Sequence, residues 1–134
     1  MTLKLEGVSK VVAGQTHIHP TDMTLEKGTM NVFLGPTLSG KTSLMRLMAG
    51  LDVPDTGRIV WNGEDVTGRR VQDRNVAMVY QQFINYPSMT VYDNIASPLR
   101  LMGRPASEID AAVHKSADLM KLTPMLQRKP LELS

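Results

Sequence analysis

Hydrophobic and polar residues change rhythm several times along the chain, and each rhythm predicts an element. Leu3, Leu5 and Val8 alternate with Lys4 and Glu6, the two-residue period of a half-buried strand. His17-Ile18-His19 alternates in the same way, and Met23-Thr24-Leu25 leads into the turn Glu26-Lys27-Gly28, so two antiparallel strands are expected. Met30-Asn31-Val32-Phe33-Leu34 reads as a short buried strand. From Lys41 to Ala49 the period becomes helical, with Leu44, Leu47 and Met48 on one face, and Gly50 stands where a C-cap glycine belongs. Pro54-Asp55-Thr56-Gly57 marks a turn. Asn62-Gly63 then joins Arg58-Ile59-Val60-Trp61 to Glu64-Asp65-Val66 as a hairpin, with Trp61 expected to pack it. Val76-Ala77-Met78-Val79-Tyr80 is an unbroken apolar run of strand length, the pattern of a strand buried on both faces.

After Gln81-Gln82-Phe83 a polar-aromatic loop reaches Thr90, and helical periods follow. Thr90, with Asp93 three residues on, caps a helix whose buried face is Val91, Ile95, Leu99 and Met102. Pro98 is expected to kink or divide it, and Gly103 to end it. Ser107 with Asp110 opens a second helix that turns Ile109, Val113 and Met120 inward, and Thr123-Pro124 starts a short third one. No internal repeat or low-complexity tract interrupts the series. Strands before and after a loop-helix unit predict an α/β sandwich.

One stretch carries chemistry. Gly35-Pro36-Thr37-Leu38-Ser39-Gly40-Lys41-Thr42 satisfies the pattern Gly-x-x-x-x-Gly-Lys-Thr, and it lies between a predicted strand and a predicted helix. That context suits a nucleoside triphosphate, whose tail must be met by positive charge at close range. Backbone N–H groups of such a loop form a nest for the β-phosphate, and the following helix offers unpaired N–H groups and its positive end. Gly35 and Gly40 permit the close approach; Lys41 brings an ammonium to the β/γ oxygens, and the Thr42 hydroxyl is a ligand for Mg²⁺.

Composition narrows the setting. A chain of 134 residues is one domain by size. Its net charge of +2, from 15 Lys and Arg against 13 Asp and Glu, is too small and dispersed for a nucleic-acid footprint. With no cysteine, neither disulfides nor thiolate metal sites are available. No apolar run approaches the roughly 18 residues that cross a bilayer, and the first residues lack the apolar block of a secretory leader, so no direct membrane insertion is expected. The ten methionines suit adaptable packing. His17 and His19 share a strand face, but two imidazoles without a third ligand make a poor metal site; they and His114 are expected to be solvated. Arg69, Arg70 and Arg74 are likewise expected on a solvated surface.

These features together resemble the nucleotide-binding (ATPase) subunit of an ATP-binding-cassette transporter of the sugar and polyol importer type, in its N-terminal portion. The resemblance runs from residue 3 to residue 134. It is carried by the phosphate loop, by Ala49-Gly50-Leu51 through Asp55-Thr56-Gly57, and by Gln81 at the place of the family's lid glutamine. Tyr86-Pro87-Ser88-Met89-Thr90-Val91-Tyr92-Asp93-Asn94-Ile95 carries it too, as does Leu133-Ser134, which is similar to the start of the signature Leu-Ser-Gly-Gly-Gln. The resemblance implies an α/β fold: part of a P-loop NTPase core (31–57 and 74–82), an antiparallel β subdomain (1–30 and 58–67), and the loop and start of a helical subdomain (83–134). It implies ATP and Mg²⁺ as cofactors, with Gly35, Pro36, Thr37, Leu38, Ser39, Gly40, Lys41, Thr42 and Ser43 holding the nucleotide. Thr42 and Gln81 would hold the metal, and Lys41 and Gln81 would be the catalytic residues. Phe83, Tyr86 and Pro87 would line a groove for a coupling helix, and Leu133 and Ser134 would open the signature.

The implied partners are a second ATPase subunit, identical or different, and transmembrane permease subunits, at the cytoplasmic face of the cell membrane. Import of a small solute, a sugar or polyol, is the implied role. A soluble cassette protein, or a nucleotide-holding regulatory module without transport, is the alternative. Two departures stand out. Val11 and Val12 occupy the neighbourhood where the family keeps an adenine-stacking aromatic, whose loss is worth up to about tenfold in binding. Thr37 and Leu38 replace the commoner small residues of the loop. The Mg²⁺-binding aspartate, the water-polarising glutamate, the rest of the signature and the switch histidine would all follow Ser134. Residues 1–134 alone are therefore expected to bind nucleotide weakly and to hydrolyse ATP negligibly.

Overall fold

The alternation at the N-terminus does produce a strand, and a long one. In the computed structural model, which describes residues 2–133, β1 spans Thr2–Val12 and β2 spans Gln15–Glu26. Ala13 and Gly14, both at positive φ (49° and 78°), make the two-residue turn between them, the geometry that matches strand twist. β3 (Thr56–Trp61) pairs with the other edge of β1, and the two-residue β4 (Glu64–Asp65) follows Asn62 and Gly63, again both at positive φ. All pairings are antiparallel, in the order β2-β1-β3-β4. β1 is bulged beyond Glu6. There Gly57 passes so close to the carbonyls of Glu6 and Gly7 that a Cβ would collide with them.

The helix α1 (Lys41–Ala49) covers one face of this sheet. Leu44 and Leu47 join Leu5, Val8, Ile18, Ile59 and Val66 in one buried cluster, with Trp61 and Phe33 packed against its margin. Gly50, at φ 80°, ends the helix; its N–H bonds the Leu47 carbonyl and the Leu51 N–H bonds that of Arg46. Arg46 makes a two-pronged ion pair with Asp52, at 2.7 and 2.9 Å, which holds the Asp52 carboxyl below its ordinary range.

Two expected strands are not formed. Residues 30–34 and 76–80 carry no regular secondary structure, and Met30, Leu34 and Val79 are about nine-tenths exposed. The reason is pairing. A strand buried on both faces needs a ladder and cover from neighbours, and no strand among the described residues pairs with either run. The expectation that Arg74 is solvated also fails: its side chain is buried.

The chain separates between Val79 and Tyr80 into two compact units. The second holds α2 (Val91–Leu101) and α3 (Ala106–Leu119), followed by single 3₁₀ turns at Thr123–Met125 and Pro130–Glu132. Its cluster is Val91, Ala96, Ile109, Val113, Ala117 and Leu126, with Ile95, Leu99 and Leu133 partly buried beside it. Thr90 caps α2 as expected, accepting the Asp93 N–H at 3.1 Å. Pro98 does not divide the helix, which runs through it. Met102 and Met120 face solvent, because each helix ends one residue before them and the chain turns away. Ser107 is not a cap: Pro105 takes that place, its carbonyl accepting the Ile109 N–H at 3.0 Å, so Ser107 falls inside the first turn.

Candidate functional site

The segment 35–42 sits at the N-terminus of α1. Gly40 is the helix N-cap at φ 89° and brings no side chain to the first-turn amides. The N–H groups of Lys41, Thr42 and Ser43 therefore have no carbonyl one turn back and no capping oxygen from Gly40, a set of donors left for an anion. Glycine is required here for space as well as for φ: a Cβ at residue 40 would stand 2.8 Å from the His17 carbonyl oxygen and from Ile18 Cδ1. β2 thus fixes how the loop enters the helix.

The loop is folded on itself. Ser39 N–H bonds the Pro36 carbonyl at 3.3 Å, and Leu38 is held at φ 68°, with its side chain wholly exposed. An apolar β-carbon in that left-handed region costs roughly 1 kcal/mol. The Lys41 ammonium curls back over the turn, donating to the carbonyls of Gly35 (2.7 Å) and Pro36 (2.6 Å) and to Ser39 Oγ (3.2 Å). One cation, a row of open amides and an exposed Thr42 hydroxyl thus lie within a few residues, and among the described residues nothing anionic is bonded to that cation. This donor set fits a polyphosphate and its divalent counter-ion.

The other sequence candidates are placed as follows. Val11 and Val12, at the end of β1, are each 44 % exposed. His17 and His19 are exposed on β2, and no group of three or more His, Cys, Asp or Glu among the described residues could hold a metal ion. In the second unit Gln81, Phe83, Tyr86 and Pro87 are all exposed, Phe83 completely. Leu133 lies against the helical cluster, while Ser134 lies outside the described residues. Among the described residues no helix is long and apolar enough to cross a membrane.

Two residues gain roles that the pattern alone did not reveal. Asn94 orders the loop 86–90: its amide accepts the Tyr86 N–H at 2.7 Å and donates to the carbonyls of Tyr86, Met89 and Thr90. Its signal was present, an asparagine in the first turn of a helix, where a short amide reaches back to the preceding loop. Arg74 bonds five backbone carbonyls. Burial pushes its guanidinium below the ordinary value, and neighbouring Arg69 adds to the effect. Arg69 and Arg70 behave as expected, pairing at the surface with Glu64 and Asp73.

Known proteins share this sequence pattern and this fold. The sequence profile of the ABC transporter family matches residues 18–134. A sulfate/thiosulfate import ATP-binding protein of Thermosynechococcus vestitus is 40 % identical over the whole chain, which spans 40 % of that relative. An sn-glycerol-3-phosphate import ATP-binding protein of Pectobacterium atrosepticum is also 40 % identical, over 98 % of this chain and 37 % of its own length. An ATP-binding cassette of an ABC transporter superposes with a TM-score of 0.80 at 24 % identity, over 98 % of this chain and 58 % of its own, and shares the fold. The chain thus spans about two-fifths of the length of the curated relatives it matches. With its phosphate loop, its partial α/β core and this likeness along nearly its whole length, the chain belongs to the ABC transporter family of ATP-binding proteins.

Proposed function

We propose that the chain is the nucleotide-gripping portion of the ATPase subunit of an importer. The observation that carries this is the cradle at 35–42: Lys41 satisfied, among the described residues, by loop oxygens alone, at the mouth of a helix with open amides. Phosphate oxygens would replace Gly35 O, Pro36 O and Ser39 Oγ as the partners of the ammonium. The exchange keeps the lysine satisfied and adds charge attraction that neutral carbonyls lack. The open N–H groups of Lys41, Thr42 and Ser43 would hold the remaining oxygens, with the loop from Gly35 to Gly40 closing around them. Mg²⁺, when bound, supplies further charge neutralisation, and Thr42 is the residue of the first unit that would hold it. For Gln81, in the second unit, the role proposed is the one the family resemblance implies, toward metal and water. Phe83, Tyr86 and Pro87 are the exposed side chains we assign to contact with permease subunits, and Leu133 and Ser134 open the segment that would face a second ATPase subunit.

Hydrolysis, dimer closure and transport belong to the whole protein. For the antiparallel region, the phosphate-loop core and the helical region we propose the boundaries 1–30 with 58–67, 31–57 with 74–82, and 83–134. The solute is not narrowed to a sugar or polyol: one relative's name specifies sulfate or thiosulfate, the other's sn-glycerol-3-phosphate. What the relatives share is import by an ATP-binding subunit. At Val11 and Val12 the base would meet aliphatic surface, so we expect weak discrimination between ATP and GTP.

Equilibrium binding of a fluorescent ATP analogue in the presence of Mg²⁺, to full-length wild-type protein and to Lys41→Ala, tests the reading. The alanine variant is expected to bind at least tenfold more weakly. Equal affinities would remove the phosphate-loop assignment. Co-purification of the full-length protein with membrane subunits tests the importer role separately.

A further inference from the structure

Arg74 is a buried cation whose hydrogen bonds, among the described residues, all go to main-chain oxygens. Nη1 reaches the Leu47 and Met48 carbonyls at 3.4 and 3.3 Å, at the C-terminal end of α1. Nη2 bonds Val66 and Thr67, the residues that follow β4, and Nε bonds Arg69. Gly50 leaves the space for it: a Cβ there would lie 2.5 Å from the Arg74 Cζ. One planar fork thus ties the end of the phosphate-loop helix to the chain leaving the β3–β4 hairpin. No lysine could serve five oxygens spread around such a plane. The charge also sits where the helix collects its unpaired carbonyls and its negative end. Directly after Arg74, Asn75 turns at φ 50° into the run that leads to Gln81.

We propose that Arg74 is the positioning residue of the nucleotide site. It holds α1 near its far end, at Leu47 and Met48, about 10 Å along the axis from Lys41, and so sets the direction in which the amides of the phosphate loop point. The proposal rests on the reading of 35–42 as a nucleotide cradle. It assigns to Arg74 a part in that cradle without contact to the nucleotide. A purely structural arginine would cost stability when removed but leave the affinity of the remaining folded protein unchanged.

The test uses the full-length protein with Arg74→Met, whose side chain suits the cleft formed by Met48, Trp61, Val66 and Val76, with Arg74→Lys, and with Gly50→Ala, which crowds the guanidinium without removing it. Affinity for a fluorescent ATP analogue and amide hydrogen exchange over residues 35–44 are read at least 15 °C below each variant's melting temperature. The expected result is about tenfold weaker binding and faster exchange over 35–44 for Arg74→Met, with partial rescue by Arg74→Lys. Gly50→Ala is expected to fall between wild type and Arg74→Met. Lower melting temperature with affinity and exchange within twofold of wild type would overturn the proposal. If Arg74→Met does not fold, the lysine and Gly50 variants decide by the same two measurements. If wild-type protein binds no nucleotide, the cradle reading falls, and exchange over 35–44 still decides whether Arg74 orders the loop.

Discussion

The first unit contains two kinds of apolar segment, and they fare differently. β1 and β3 alternate apolar with polar residues, pair across short connections or directly with one another, and receive cover from α1; Leu5 and Ile59 are almost wholly buried. The runs 30–34 and 76–80 are more continuously apolar, yet Leu34 and Val79 stand in solvent. Hydrophobicity therefore does not decide burial by itself. A half-buried strand needs one covering face, which this chain supplies with Leu44 and Leu47. A strand destined for burial on both faces needs two faces and two ladders, and none of the described strands offers either.

Truncating one apolar side chain in each kind of segment separates the two most directly. Ile59→Ala is expected to lower the unfolding free energy by about 2–5 kcal/mol, through lost burial and an incompletely collapsed cavity, whereas Val79→Ala should change it by less than about 0.5 kcal/mol. Urea denaturation of the 134-residue chain measures both. Comparable losses would mean that 76–80 is packed after all. Next in size is Lys41→Ala, which should weaken nucleotide binding by tenfold or more, about 1.4 kcal/mol, while leaving the denaturation midpoint nearly unchanged. That contrast separates a residue held for a ligand from one held for the fold.

A smaller effect sharpens the same contrast in the helical unit, which, like the sheet, is built from locally complete patterns. Thr90→Ala should cost about 1 kcal/mol, since the Asp93 N–H loses its acceptor, and thermal unfolding will show it. At the phosphate loop the sign reverses. Leu38→Gly removes roughly 1 kcal/mol of left-handed strain but adds flexibility to the unfolded chain, so a net gain of about 0.5 kcal/mol or less is expected.

The least of these effects is acid dependence at the end of α1. Asp52 has its pKa lowered by its hydrogen bonds to Arg46. Its contribution is therefore complete above the unfolded value near 3.8 and is lost as pH falls through the lower folded value. Asp52→Asn should lower stability modestly at neutral pH, where the wild-type ion pair is complete, and converge with wild type in acid, where the Asp52 carboxyl is protonated, so that the acid limb is flatter.

Much of both units was legible because it depends on neighbours close in sequence. The hairpin at Asn62-Gly63, the C-cap at Gly50, the Thr90 cap and the helical face of Leu44 and Leu47 each follow from a few adjacent residues. The turn at 35–42 leading into α1 was legible for the same reason, since its glycines and the helix that follows are set by adjacent residues. At Met102 and Met120 the helical period of the sequence continues one residue past the point where the backbone turns.

The sequence by itself determined most of the element types, the motif spacing at 35–42 and the family, since local dihedral preferences, side-chain period and a fixed motif spacing are properties of short segments. Only the tertiary structure decided that Arg74 is buried, that Asn94 ties down its loop, and that two strongly apolar runs lie open. Burial is settled by which other segments arrive to provide carbonyls, ladders and cover, and that depends on partners distant along the chain.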